Sequence, residues 1–178
     1  MSDKRVFFAL WPDETTREAV MAASREAVEA CGGKAVPEDN FHITLRFLGN
    51  ASGSDIRKMK KAAKAANGVP QKFTLDRLGY WAGPEVLWMG CQKANDDLLR
   101  LVVNLNTELG SVGFPHENRP FRPHVTLARK VESEPESSLI SPIEWSSESF
   151  VLVESELADP KKGGKHSEYK VIASFDLK

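Results

Sequence analysis

The spacing of apolar and polar positions alternates short strands with amphipathic helices along the chain. Short apolar or alternating runs predict strands at residues 6–10, 41–47, 73–80, 86–91, 124–127, 150–154 and 169–175. Helical spacing of apolar residues predicts three helices, which begin at Asp13 and at the candidate N-caps Ser54 and Asn95. The Ser-, Glu- and Pro-rich residues 131–149 predict an exposed connection, and residues 159–167 predict a mobile loop.

A strand–helix–strand unit occurs twice in this pattern. The first unit runs from residues 6–10 to the strand that carries His42, and the second runs from residues 86–91 to the strand that carries His124. The offset from Phe7 to His42 is 42 − 7 = 35 residues, and that from Leu87 to His124 is 124 − 87 = 37 residues. The repeat predicts two similar lobes related by a pseudo-twofold axis.

The composition is that of an ordinary globular protein and excludes several classes. Of the 178 residues, 41% are hydrophobic and 28% are charged, which argues against extensive disorder. The net charge of −1 excludes a bulk polyanion binder, so any contact with nucleic acid needs a local basic patch. The two cysteines, Cys31 and Cys91, lie far apart, and neither a signal peptide nor a membrane span is recognisable. We therefore expect a cytoplasmic protein without disulfides.

Two segments with the same short motif carry the strongest candidates for chemistry. Residues 41–49 (FHITLRFLG) and 122–129 (RPHVTLAR) each contain His-x-Thr followed by an apolar residue. Because side chains two apart in a strand face the same side, His42 should share a face with Thr44, and His124 with Thr126. A single strand histidine is usually a packing residue, but two such motifs at matching positions favour a shared site.

The residue types match the requirements of phosphodiester chemistry. Histidine titrates near neutral pH, so one imidazole can accept a proton from water while the other gives one to a leaving oxygen. Hydroxyl donors such as Thr44 and Thr126 can hold the phosphate oxygens, and Arg129 is the guanidinium best placed to help. The sequence contains no carboxylate set with magnesium spacing and no HExxH motif, so neither a metal nor a cofactor is expected.

The ordered motifs resemble those of the two-histidine (2H) phosphoesterase superfamily, and more closely its RNA 2′,3′-cyclic phosphodiesterase family, also called 2′-5′ RNA ligases. The two His-x-Thr motifs lie 124 − 42 = 82 residues apart. Further landmarks are the opening VFFALWP at residues 6–12 and the ending YKVIASF at residues 169–175. The resemblance therefore spans almost the whole chain.

The resemblance implies a fold, an activity and roles for individual residues. The fold would be α+β and bilobal, with antiparallel sheets lining a central cleft and helices outside, in a single domain over residues 1–178. The activity would be metal-independent hydrolysis of an RNA-terminal 2′,3′-cyclic phosphate to a 2′-phosphate, with 2′-5′ ligation as the reverse reaction and no nucleotide cofactor. His42 would be the proton donor and His124 the acceptor, while Thr44, Thr126 and Arg129 would bind phosphate.

Basic residues near the motifs are candidates for further substrate contacts. Arg122 flanks the second motif and is a candidate contact for an RNA backbone, as are Arg119 and Lys130. Arg46 shares the face of His42 if the strand alternates regularly, where it either reaches substrate or forms a salt bridge.

Four aromatic side chains are candidates for base stacking: Trp11, Phe47, Trp81 and Trp88. Trp88 lies in an apolar strand and fits better as a core residue.

Three alternatives to an RNA-end phosphodiesterase stay open. The same chemistry would serve a small nucleotide cyclic phosphate, such as an ADP-ribose cyclic phosphate, or a 2′-5′ oligoadenylate. A binding module without turnover would not need two proton-transfer groups, and a histidine metal site lacks a third ligand at recognisable spacing. For the favoured interpretation, the expected partners are RNAs with 2′,3′-cyclic phosphate ends, tRNA fragments among them, with no membrane contact and a monomeric state.

Overall fold

A computed structural model describes residues 4–93, 95–156 and 167–178. The strands of this part of the chain are β1 (Lys4–Leu10), β2 (Lys34–Ala35), β3 (Ile43–Ala51), β4 (Gln71–Trp81), β5 (Val86–Gly90), β6 (His124–Arg129), β7 (Leu139–Ser147), β8 (Ser149–Glu156) and β9 (Glu168–Asp176). The helices are α1 (Glu14–Cys31), α2 (Gly53–Ala65) and α3 (Asp96–Ser111). The predicted mobile loop at residues 159–167 lies outside the described residues except for Ser167.

The described strands form one antiparallel sheet in the order β7-β4-β5-β6-β3-β1-β8-β9, with β2 paired to β6. Two four-stranded halves meet where β6 adjoins β3, and a single residue pair, Ile43 and Val125, joins them. A twofold rotation that exchanges the halves places β6, β5, β4 and β7 on β3, β1, β8 and β9. The repeated unit predicts the part of this relation that joins β5 and β6 to β1 and β3. The predicted α+β class with two antiparallel halves is confirmed, although the halves form one continuous sheet.

The three helices pack on one face of this sheet. Leu98, Leu101 and Leu105 of α3 are fully buried in the same core as Phe8 and Ile43 of the sheet. The opposite face carries a small separate apolar cluster of strand residues: Phe7, Ala9, Val151 and Val153. None of the described helices is long and apolar enough to cross a membrane. The face without helices is therefore the one left open for a binding site.

The helix ends follow local capping chemistry. The side chains of Asp13 and Asn95 accept backbone N–H groups of the first turns of α1 and α3, at 2.7 and 2.8 Å, as predicted. The predicted cap Ser54 is wrong, because Ser52 caps α2 instead. Ser52 and Asp55 form a reciprocal capping box in which each side chain accepts the backbone N–H of the other residue.

The prediction that residues 131–149 form an exposed connection is wrong for residues 139–147, which form β7. This strand pairs with β4, and the side chains of Ile143 and Trp145 are buried against the helices. Serine and glutamate alternate with them on the other face, so the composition of the segment resembles that of a loop. Pro142 is tolerated because β7 is an edge strand of the described sheet.

Candidate active site

The side chains of the two His-x-Thr motifs meet at the junction between the two halves of the sheet. Ile43 and Val125 are paired across this junction and are fully buried on the helix side. Their neighbours along each strand therefore project from the open face. Antiparallel pairing interleaves the two motifs, so each histidine lies across from the threonine of the other motif: His42 from Thr126, and His124 from Thr44.

Backbone carbonyls fix both imidazole rings in the same tautomer. Nδ1 of His42 lies 2.7 Å from the carbonyl oxygen of Asn40, and Nδ1 of His124 lies 2.7 Å from that of Arg122. A carbonyl can only accept, so Nδ1 carries the proton in both rings and Nε2 is left for proton transfer. In the neutral ring, Nε2 of His42 accepts from the Thr44 hydroxyl at 3.1 Å.

Aromatic side chains surround His42. The indole of Trp11 stacks on the imidazole with a centroid distance of 5.3 Å and an interplanar angle of 6°. Phe7 lies 4.9 Å from the imidazole centroid, and the Tyr169 ring meets it edge-on at 5.3 Å. Trp11 stays a candidate for base stacking, and in the unliganded site its indole covers one face of the His42 imidazole.

Two tryptophans lie beside His124. The Trp81 ring meets the imidazole edge-on at 4.5 Å, and the Trp88 ring lies 6.5 Å away. The prediction that Trp88 is a core residue is wrong, because its side chain is partly exposed on the open face. Strand β5 is apolar on both sides of Trp88, so the sequence pattern does not distinguish a tryptophan of the cleft from one of the core.

Burial lowers the pKa of both imidazoles. It lowers the pKa of His42 to about 4, and the charges of His124 and Arg129 add to this effect, against the opposing hydrogen bond to Asn40. Burial also lowers the pKa of His124, with a smaller contribution from the charge of Arg129. At neutral pH both rings of the unliganded site are therefore neutral, and an anion bound between them would favour protonation of one.

Arg129 lies at the end of β6 and lines one hollow with His42 and Thr44. We call this hollow, of about 320 Å³, the His42 hollow; Phe7, Phe47 and Tyr169 also line it. Its volume suits a phosphate with part of a sugar. Arg129 is exposed, and no ion pair engages it within the described residues. The predicted phosphate-binding guanidinium is thus brought together with one imidazole and one hydroxyl.

A second hollow of about 300 Å³, the central hollow, is lined by residues of both halves of the sheet. It is lined by Thr44, Phe47, Arg122 and His124, among others. Arg122 therefore lies beside His124, and its own carbonyl orients that imidazole. Thr126 faces the same side of the sheet but lines neither hollow.

Each histidine strand has a β-bulge directly after its motif. In β3 the register with β1 shifts at Leu45, and in β6 the register with β5 shifts at Leu127. Beyond Leu45 the alternation is reversed, so Arg46 pairs with Phe8 of the core and Phe47 turns to the cleft. The matching bulges support the predicted pseudo-twofold relation.

Because of this bulge, Arg46 does not share the face of His42. Its side chain is only 7% exposed, and its guanidinium donates to the Pro115 carbonyl at 2.5 Å and pairs with Glu117 at 3.4 Å. Arg119 also donates to Glu117, at 3.0–3.1 Å. The salt-bridge alternative for Arg46 is therefore confirmed. Both arginines fasten the loop that leads to His124.

Sequence patterns missed several residues of the site. The sequence pattern places Phe7 and Tyr169 only on strands, although both contact His42, and it does not distinguish Arg77, which lies beside Trp88. No local signal marks them, because each reaches the cleft through strand pairing with distant segments. In the part of the chain that the structure describes, no three or more His, Cys, Asp or Glu side chains are arranged to hold a metal ion.

The bilobal antiparallel sheet with paired His-x-Thr motifs defines a 2H phosphoesterase. Residues 11–163 match the family model of the 2′-5′ RNA ligase superfamily, and the chain belongs to that family.

Relatives and solved structures agree with this assignment. The RNA 2′,3′-cyclic phosphodiesterase of Escherichia coli (strain K12) is 31% identical over 126 residues, which cover 71% of this chain and 72% of that one. The RNA 2′,3′-cyclic phosphodiesterase of Thermus thermophilus is 30% identical over 185 residues, covering 98% and 90%. The crystal structure of E. coli LigT with 3′-AMP superposes with a TM-score of 0.86 at 26% identity and 98% coverage of both chains.

Proposed function

We propose that this chain hydrolyses the 2′,3′-cyclic phosphate at the end of an RNA to a 2′-phosphate, with His42 and His124 as the acid–base pair. The observation that carries this proposal is the identical orientation of the two imidazoles. In both rings Nδ1 is held by a backbone carbonyl two residues earlier, which leaves Nε2 as the proton-transfer atom on the same face of the sheet. In the unliganded site Nε2 of His42 accepts from the Thr44 hydroxyl, which turns to the phosphate when substrate binds. The named activity of the family's relatives gives independent support.

The reaction needs two proton transfers at one phosphorus atom. Nε2 of His124 accepts a proton from a water molecule as its oxygen forms a bond to phosphorus. The bond from phosphorus to O3′ breaks, and Nε2 of His42 gives its proton to O3′. The products are a 2′-phosphate and a 3′-hydroxyl, and the two imidazoles return to their starting states by proton exchange with solvent. When a 5′-hydroxyl replaces water, the same step yields a 2′-5′ linkage.

The remaining residues stabilise charge on the phosphate. Thr44 and Thr126 donate hydroxyl hydrogen bonds to its non-bridging oxygens, and the guanidinium of Arg129 binds the developing negative charge. Arg122 contacts the RNA backbone beside His124. The donor and acceptor labels of the two histidines stay a prediction, since each imidazole faces the same site with the same tautomer.

We propose that the two imidazoles supply both proton transfers without a metal or cofactor, and that the protein acts as a monomer in the cytoplasm. RNA ends that include tRNA fragments are the proposed substrates. Size-exclusion chromatography with light scattering checks the monomeric state, and a dimer whose activity falls on dilution would contradict it.

The test is turnover of an RNA oligomer that ends in a 2′,3′-cyclic phosphate, in excess EDTA, with analysis of the phosphate position in the product. We expect undiminished turnover and a 2′-phosphate. A 3′-phosphate product would contradict the assignment of O3′ as the leaving group, and loss of turnover in EDTA would show that a metal is needed. Turnover of small nucleotide cyclic phosphates but not of RNA would overturn the proposed substrate class.

A further inference from the structure

A third hollow, of about 380 Å³, extends from His124 away from His42 along the second half of the sheet. We call it the Trp88 hollow. It is lined by Arg77, Trp81, Trp88, Cys91, Arg122 and His124, among others. No residue of its lining is acidic, and it shares Arg122, His124 and Trp81 with the central hollow. The catalytic site is therefore continuous, through His124, with a basic, aromatic cavity whose Arg77 and Trp88 have no part in the hydrolysis step.

Trp88 lies across the sheet as a platform in this hollow. A Cβ atom at Gly79 would stand 2.0 Å from Cζ2 of Trp88, and one at Gly90 would stand 3.0 Å from its Cζ3. The benzo ring of Trp88 thus occupies the space that side chains at position 79 of β4 and position 90 of β5 would fill. Trp81 packs beside it at a centroid distance of 5.2 Å. Indole platforms of this kind stack nucleobases without strong base preference.

Two guanidinium groups in the Trp88 hollow have no counter-ion. Arg77 lies 5.8 Å from the Trp88 ring centroid, and its side chain forms no ion pair or hydrogen bond within the described residues. The side chain of Arg122 likewise forms no ion pair within those residues. The buried Nε of Arg77 and Nε1 of Trp88 also find no acceptor there. Unpaired guanidiniums beside an aromatic platform match the chemistry of a nucleotide, which combines an anionic phosphate with a flat base.

The other two hollows already provide space for the reacting nucleotide. The His42 hollow and the central hollow are lined by Arg129, Thr44 and Phe47, and the residue Phe47 is 43% exposed. We propose, on the basis of the proposed function, that the Trp88 hollow binds the RNA nucleotide directly 5′ of the one that carries the cyclic phosphate. Its base stacks on Trp88, and its phosphodiester group binds Arg77 and Arg122. This subsite makes an RNA end, rather than a mononucleotide, the preferred substrate.

The test compares kcat/KM for a mononucleoside 2′,3′-cyclic phosphate with that for a dinucleotide that has the same terminal base. One stacked base supports a preference for the dinucleotide of about 10-fold or more in the wild-type protein. Trp88→Leu should bring this ratio close to one, and Arg77→Gln should lower it and weaken its dependence on salt. Gly79→Ala should also bring the ratio close to one, because the new Cβ displaces the indole of Trp88. This variant keeps the guanidinium groups of Arg77 and Arg122.

Arg100→Gln is the matched control, since Arg100 lies exposed on α3 and pairs with Asp97; its ratio should equal that of wild type. Thermal melting of each variant checks the fold.

A wild-type ratio near one would overturn the subsite while leaving the proposed function intact. If Trp88→Leu lowers kcat/KM equally for both substrates, Trp88 acts through His124 and the proposal is overturned. If the variant instead weakens only the binding of the RNA that supplies the 5′-hydroxyl in ligation, the hollow belongs to that RNA, and the proposal is likewise overturned. Absence of turnover on either substrate would overturn the proposed function and the subsite with it.

Discussion

The low pKa of His42 leads to a defined pH dependence of catalysis. A reaction with one protonated and one neutral imidazole has its largest productive fraction between the two pKa values of the free protein. The pKa of His42 is about 4, and that of His124 is lowered from 6.5. We therefore expect kcat/KM to be greatest below pH 6.5 and to fall tenfold per pH unit above the higher pKa. At pH 8 it should be at least about 20-fold below its maximum.

A substitution of Trp11 should change the acidic limb of this pH profile without changing the alkaline limb. Its indole stacks on His42, while the tryptophans beside His124 are Trp81 and Trp88. Trp11→Leu should admit water to the His42 ring and raise its pKa toward the ordinary value, by about one unit. The acidic limb of the kcat/KM profile should move upward by the same amount. The alkaline limb, which reports His124, should stay in place and serves as the internal control.

The assay is kcat/KM for uridine 2′,3′-cyclic phosphate from pH 3 to 8 at constant ionic strength, so that the range includes the acidic limb near pH 4, with NMR titration of the imidazole protons alongside. This substrate is singly charged over the whole range, so the profile reports the protein. An optimum at or above pH 6.5 would refute the argument that burial sets the pKa values. An unchanged acidic limb in Trp11→Leu would refute the role given to the indole.

Three further predictions concern charge and capping. Arg129→Met should lower kcat/KM about 100-fold at pH 6, and Arg129→Lys should recover part of the loss. Because the charge of Arg129 lowers the pKa of both histidines, Arg129→Met should also move both limbs of the pH profile upward, and unshifted limbs would contradict this. Glu117→Gln should lower the free energy of unfolding in urea by roughly 2 kcal/mol, since it leaves Arg46 buried without its carboxylate, and an unchanged midpoint would contradict the salt bridge. Asp13→Ala should cost about 1 kcal/mol in the same assay through loss of the cap on α1, whereas Asp13→Asn should cost much less.

The elements that could be predicted are those whose signal is local. The strand of residues 6–10 and the helix after Asn95 follow from apolar spacing and a capping side chain, and the structure has both. The His-x-Thr motifs could be placed on strands because the period of two decides which residues share a face. Ser52 could also have been found, since Asp55 three residues later completes a capping box, whereas Ser54 has Arg57 at that position.

The features that could not be predicted depend on pairing between distant segments. The bulge at Leu45 reverses the alternation of β3, so the face of Arg46 follows from its register with β1. Trp145 is buried because β7 pairs with β4, although its neighbours in sequence are polar. Tyr169 reaches His42 only after the last strand is added beside β8. Register is a property of the folded sheet, and a single sequence carries little trace of it.

The central claim, that His42 and His124 act together as acid and base, is tested most directly by a set of alanine variants. We would measure single-turnover cleavage of an RNA 2′,3′-cyclic phosphate by His42→Ala, His124→Ala, the double variant and His116→Ala, whose histidine lies exposed outside the site. The cleavage rate of each active-site single variant should fall by a factor of about 100 to 10,000, and that of His116→Ala should match wild type. The double variant should cleave only slightly more slowly than the less active of the two single variants. Activity within about threefold of wild type in either single variant would contradict the account, since catalysis would then proceed without one of the two imidazoles.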